Sequence, residues 1–191
     1  MDVKKEFIDI YKEHIKREGS EQLLEWLKKS DFFKAPASTR FHSCTDGGLA
    51  KHSLLVYKRF IKKLEAEYGE NWQETYSHET AAICGLLHDL CKIDFYKSEL
   101  RNVKENGEWV QKPYYTVCDN LPYGHGEKTV YIISGFMKLT RDEAMAINWH
   151  MGGFDTRVKG GSYSMAEAFR RHPLSLLFHT ADLETCYLDE E

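Results

Sequence analysis

Five stations along the sequence place an imidazole or a carboxylate in an otherwise apolar, helix-like setting. They are His52 in "AKHSLL", His88 and Asp89 in "LLHDLCK", His125 in "YGHGEK", His150 in "INWHMGG", and His179 with Asp182 in "LLFHTADLE". A neutral imidazole nitrogen and an ionised carboxylate are good ligands for Zn, Mn, Fe, Co or Ni, and a carboxylate can bridge two ions. Buried without a partner, Asp89 and Asp182 would be costly, because an ionised group resists leaving water. A cation held among them offsets that cost, so a bound divalent transition metal is the expected use of these residues. Each histidine taken singly is more simply read as a hydrogen-bonded core residue, and a His-Asp dipeptide arises readily by chance. The succession carries the weight.

Helical periodicity dominates the elements that must position these groups. Residues 2–17 and 20–29 form two expected amphipathic helices separated by Gly19 and Ser20, with Ser20 an expected N-cap. Proline, small polar residues and paired glycines mark 31–48 as irregular, and a helix follows from Leu49 to Tyr68 with Gly69 as its cap. The next helix is expected from Ser77 or His78 to Cys91. Asn106-Gly107 lies between two alternating stretches in 95–118, the pattern of a β-hairpin. Further helices are expected at 125–137, 141–150, 164–171 and 173–187. The whole reads as one mainly α domain over 1–191, with a small hairpin inserted.

Composition narrows the function. The 191 residues suit one compact domain, and 42% hydrophobic against 29% charged residues gives no sign of disorder. A net charge of −4 disfavours a large nucleic-acid surface, so any phosphate-binding patch must be local. No apolar run is long enough for a bilayer, and the amphipathic start lacks the apolar stretch of a signal peptide. Five cysteines without a CxxC pair fit a reduced, cytoplasmic chain better than a disulfide framework or a thiolate zinc site.

The order His52, His88-Asp89, His125, His150, Asp182, with its flanking residues, resembles the HD-domain superfamily of metal-dependent phosphohydrolases. The stretches that carry the resemblance are "PASTRFHSCTDGGLAKHSL" (36–54), "CGLLHDLCK" (84–92), "GHGEK", "NWH" and "LFHTADLET" (177–185), so it extends over about 31–187. Within the superfamily the sequence is similar to the HD domain of bacterial 3′-to-5′ exoribonucleases, which share the proline-alanine and Gly-Gly-Leu approach to the first histidine. The resemblance implies an HD-domain helical fold and one metal bound by His52, His88, Asp89 and Asp182. It implies a second ion bridged by Asp89 and held by His125 and His150. Met151 stands where the richest dinuclear members have another histidine, so the second site would be thinner. One or two ions of Mn, Fe, Zn, Ni or Co are therefore the expected cofactor.

The chemistry so implied is hydrolysis of a phosphate ester by a water that a metal makes acidic, its pKa lowered toward about 7. Asp89 would fix the metal pair and Asp182 would also orient the nucleophile. Lys92, three residues past Asp89, would offer a compact charge to a phosphate oxygen, although a lysine at a helix C-terminus is also favoured by the dipole alone. The expected catalytic residues are Asp89, Lys92 and Asp182, and the expected substrate contacts are Lys92, Arg101 and Arg157. Arg101 belongs to a basic and aromatic hairpin with Tyr96, Lys97, Lys104, Trp109, Lys112, Tyr114 and Tyr115, which equally suits ordinary cross-strand pairs. Arg157 lies in the glycine-rich segment 152–164, expected as a mobile loop over the site. His179 reads either as a hydrogen-bond partner of the site or as core. His42 could contact substrate but suits a solvated loop better. His14, His78 and His172 carry no assignment, and Cys91 is expected to pack beside the site.

The expected partner is a phosphorylated small molecule, a nucleotide or a short oligonucleotide; the absence of an OB-fold sequence points away from a processive exoribonuclease. Two rivals remain. One is a non-catalytic nucleotide- or nucleic-acid-binding module with a structural metal; the other is a di-iron oxygenase, whose further ligands are not found here.

Overall fold

A computed structural model describes residues 2–39 and 43–190, and His42 lies outside the described residues. The first helix, α1 (Val3–His14), starts where the Asp2 carboxylate accepts the backbone N–H groups of Lys4 and Lys5, and it buries Phe7 and Tyr11. It stops short of residue 17 because Ile15 turns extended, and the Lys16 and Arg17 amides donate to the Glu79 carboxylate instead. The second helix, α2 (Ser20–Lys29), is capped by Gly19 rather than Ser20. Gly19 has φ +88°, and a Cβ there would come within 1.8 Å of the Phe136 carbonyl oxygen. That position excludes a side chain, so Ser20 becomes the first helical residue.

The long helix α3 (Gly48–Tyr68) ends at Gly69, as its sequence predicts. Its inner face carries Leu49, His52, Leu54, Val56, Tyr57, Phe60 and Leu64. Beside it runs α4 (His78–Leu87), in which every residue from Thr80 to Leu87 is buried. A helix apolar all round belongs in the interior, with others packed about it. The α3–α4 approach is close at Gly85, where a Cβ would lie 2.6 Å from the Tyr57 Cα. The expected continuation of α4 to Cys91 does not form: the helix ends at His88, Asp89 takes φ −107° and ψ 20°, and a short 3-10 turn follows at Leu90–Lys92.

The hairpin pairs β1 (Tyr96–Glu105) with β2 (Glu108–Val117) over its whole length, from Tyr96 opposite Val117 to Glu105 opposite Glu108. Asn106 and Gly107 both have positive φ, as a two-residue turn matched to strand twist requires. Then come α5 (His125–Ser134) and α6 (Arg141–Trp149). Thr140 and Glu143 close a capping box on α6, and the buried Glu143 also binds the Arg17 guanidinium through both oxygens, at 2.8 and 2.9 Å. Thr80 adds its hydroxyl to Glu143, so one carboxylate ties the α1–α2 link to α4 and α6.

Segment 152–164 is folded into a 3-10 turn, Gly152–Phe154, and the short helix α7 (Thr156–Lys159). After α8 (Ser164–Arg171), α9 (Pro173–Glu184) packs on α3 and α6, with the Phe178 ring 5.0 Å from Phe60 and 5.4 Å from His88. A π-helical turn, Thr185–Asp189, carries the chain back over α3. Arg59 anchors it, with Nη2 2.6 Å from Asp189 Oδ1. The architecture is mainly α with one antiparallel hairpin among the described residues, and none of its helices is long and apolar enough to cross a membrane.

Gly85→Ala tests the contact that sets α3 against α4. An alanine in a helix interior normally gains about 1 kcal/mol over glycine. Here the clash with Tyr57 should reverse the sign and destabilise the chain by about 1–3 kcal/mol in urea denaturation. A stabilised variant would mean that the helices are not in close contact at this point.

Candidate metal centre

Helix ends bring the sequence stations together. His88 and His150 are the C-caps of α4 and α6, Asp89 follows His88 outside the helix, and His125 opens α5. Asp182 lies in the last turn of α9, whereas His52 lies inside α3. The last carbonyls of a helix lack intrahelical partners. His88 and His150 use two of them: their Nδ1 atoms lie 3.0 Å from the Gly85 oxygen and 2.7 Å from the Ile147 oxygen. Each ring must donate its Nδ1 proton to that carbonyl, which turns Nε2 toward the site. In a neutral ring Nε2 then carries the lone pair; burial keeps His88 neutral, whereas, against burial, Asp89 raises His150.

Those Nε2 atoms converge in two groups. In the first, His52 Nε2 lies 3.2 Å from His88 Nε2, 3.5 Å from Asp89 Oδ2 and 3.3 Å from Asp182 Oδ1. His88 Nε2 completes it at 3.5 Å from Asp89 Oδ2 and 3.8 Å from Asp182 Oδ1. In the second, His125 Nε2 lies 2.9 Å from Asp89 Oδ1 and 3.2 Å from His150 Nε2, with His150 Nε2 3.6 Å from the same oxygen. The two oxygens of Asp89 thus face different histidine pairs. His52, His88, Asp89 and His150 are at most 2% exposed.

The donor set fits a transition-metal ion. Ligands about 2.0–2.2 Å from a common ion sit roughly 3.0–3.5 Å from each other, close to the separations found in both groups. Facing imidazole lone pairs repel unless a proton or a metal lies between them. Electrostatics points the same way. Burial pushes His88 down to about 3 and lowers His125, so both are neutral donors near pH 7. Burial opposes ionisation of Asp89, but Lys92 and the surrounding imidazoles outweigh it and hold the carboxyl well below its usual range. Asp182 is likewise held low against its burial, chiefly by His52 and His88. Against burial, Asp182, Glu190 and Asp89 raise His52 to about 9, so without a metal a proton supplies the positive charge.

The remaining predicted residues differ in placement. Lys92 Nζ lies 2.6 Å from Asp89 Oδ2, its side chain only 13% exposed, at the edge of the first group. Arg101 is exposed on the hairpin, over the Tyr114 ring at 5.9 Å. It stands five residues along β1 from Tyr96, roughly 16 Å at strand spacing. The Arg157 guanidinium is held by protein groups: Asp155 at 2.6 Å, Glu127 at 2.8 Å and the Asn148 carbonyl at 3.0 Å, with its carbon 3.8 Å over the Trp149 ring. It braces the end of α6 immediately before His150.

His179 resolves as a hydrogen-bond partner: its Nδ1 donates to the His150 carbonyl at 2.6 Å. A Cβ on Gly152 would fall 2.1 Å from that ring, so the glycine after "HM" makes room for it. Cys91 is buried beside His125, its thiol pushed up to about 12 by burial, and packs as expected. His172 pairs with Asp142 at 2.7 Å, and the rings of His14 and His78 stack at 5.1 Å. Sequence reasoning missed Glu190, whose Oε1 lies 3.1 Å from His52 Nδ1. In "YLDEE" it reads as one more solvated acid.

The model of the HD domain family matches residues 49–183, which span every one of the converging ligands, and the chain belongs to that family. No curated protein and no solved structure gives a significant match.

Chelator treatment followed by Mn or Zn tests whether these groups hold a metal. At a hundredfold excess over its dissociation constant, a bound ion should stabilise the fold by about 2.7 kcal/mol, read as a rise in Tm. The rise should shrink in His88→Ala, which removes a donor of the first group. An unchanged Tm on adding either metal to wild type would contradict the site.

Proposed function

We propose that this HD-domain chain is a metal-dependent phosphohydrolase or phosphodiesterase acting on a nucleotide or a short oligonucleotide. The observation that carries the proposal is the division of Asp89, with Oδ2 toward His52 and His88 and Oδ1 toward His125 and His150. That division suits a carboxylate shared by two ions. The first group, completed by Asp182, has four donor residues; the second has three, and Met151 adds none. When bound, a divalent ion lowers the pKa of water and neutralises charge on phosphoryl oxygens.

The protein's own residues do the rest. Asp89 fixes the two imidazole pairs relative to each other. Asp182 stays ionised beside them, an acceptor that orients the attacking water. Lys92, held at the rim by Asp89, offers its ammonium to a phosphoryl oxygen as a compact charge. Arg157 contributes to substrate only by exchanging its protein partners, whereas Arg101 is reachable only by a substrate long enough to cover the hairpin. Arg101 therefore separates the two substrate classes. The likeness of the stretch before His52 to exoribonuclease HD domains favours an oligonucleotide, and the acidic balance of the chain favours a small one.

Mn-supplemented wild type should hydrolyse one or more members of a panel of nucleotides, cyclic dinucleotides and short oligonucleotides. Asp89→Ala should lose that turnover while keeping its helical circular-dichroism spectrum. A folded wild type that binds metal yet turns over nothing on the panel would favour a structural metal. Arg101→Ala should slow oligonucleotide hydrolysis and leave mononucleotide hydrolysis unchanged; equal effects on both would remove the hairpin from substrate contact. Metal analysis should give two equivalents in wild type and one in the His125→Ala/His150→Ala double variant. A single equivalent in wild type, unchanged by the double substitution, would eliminate the second ion.

A further inference from the structure

We infer that Glu190 is a positioning residue for His52: its carboxylate accepts the Nδ1 proton of that imidazole and thereby aims Nε2 at the first donor group. The inference rests on the metal-binding reading above and extends it to a residue beyond the matched 49–183.

The reason lies in where each histidine sits. His88 and His150, at helix ends, find free carbonyls within their own last turns. His52 is inside α3, where the carbonyls of the preceding turn already accept helix N–H groups, and Leu49 also accepts the Ser53 hydroxyl at 3.0 Å. Its Nδ1 proton must go to an acceptor from elsewhere in the chain. Glu190 supplies one at 3.1 Å, from a side chain 1% exposed against an imidazole 2% exposed. Ser43, in the loop ahead of α3, donates its hydroxyl to the same oxygen at 2.9 Å and fixes the carboxylate from the far side.

The segment before Glu190 is held in place independently. Arg59 and Lys63 of α3 bind Glu184 at 3.2 and 2.6 Å, and Arg59 also grips Asp189. The π turn places residue 190 back over the first turns of the helix that carries His52. An exposed acid held this way would do nothing. A buried one on the rear nitrogen of a metal-ligating imidazole orients the ring and makes it a better donor than a backbone carbonyl does. His52 would be the strongest imidazole donor of the first group for that reason.

The test uses the full chain, stripped by chelator and titrated with Zn against a chromophoric competitor, alongside circular dichroism of the metal-free protein. His52→Ala identifies which equivalent depends on this ligand. Glu190→Ala should weaken that equivalent by about 10–100-fold. Glu190→Gln, whose amide oxygen still accepts the proton but carries no charge, should weaken it by less, and it decides the matter if the alanine variant fails to fold. Either folded variant binding that equivalent as tightly as wild type overturns the role of Glu190 and leaves the metal site standing. Wild type that takes up no Zn, Mn or Fe overturns the metal reading and this inference together.

Discussion

Nε2 atoms of buried imidazoles face each other across 3.2 Å, twice, with the Nδ1 atoms of His52, His88 and His150 committed elsewhere. With neither a proton nor a metal between them, that arrangement is unfavourable. It persists because the helices that carry the rings are fixed by packing independent of the site: α4 enclosed on all sides, Gly85 seated on Tyr57, and Phe178 filling the space beneath His88. The fold holds most of the donors apart from water and all of them close to each other, and a bound cation would resolve both the repulsion and the deficit of positive charge around Asp89 and Asp182.

Helix ends do much of the positioning. A C-terminus leaves carbonyls unpaired, and a histidine placed there can satisfy one with Nδ1 while turning Nε2 outward. His88 and His150 repeat this device at the ends of α4 and α6. The break after His88 then releases Asp89 from helical geometry, so that its carboxylate can serve both imidazole pairs and still hold Lys92. Around this centre, buried charges are paired: Glu143 with Arg17, and Asp155 with Arg157.

Much of this was legible in the sequence. The span of α3, the turn at Asn106-Gly107 and the sequence stations of the site follow from period, turn chemistry and residue type, which are local properties. What escaped depends on contacts between distant segments. The apolar run of 83–87, resumed by Leu90 and Cys91, gives no sign that the helix ends at His88. Ser20 looks like a cap until the Phe136 carbonyl is found where a side chain at Gly19 would need to be. Arg157 in a glycine-rich stretch looks available for phosphate, yet Asp155, Glu127 and Trp149 surround it. Glu190 carries no local signal at all, since its burial depends on the turn that precedes it and on Ser43 far away in the sequence.

The central claim is that these imidazoles and carboxylates surround a metal ion. Anomalous diffraction from crystals grown with Mn, collected at its absorption edge, addresses that most directly. The account predicts a peak among His52, His88, Asp89 and Asp182, with a second beside Asp89 toward His125 and His150 when both positions fill. Ordered protein in excess Mn with no anomalous peak between these residues, their Nε2 atoms bridged by hydrogen bonds alone, would contradict it.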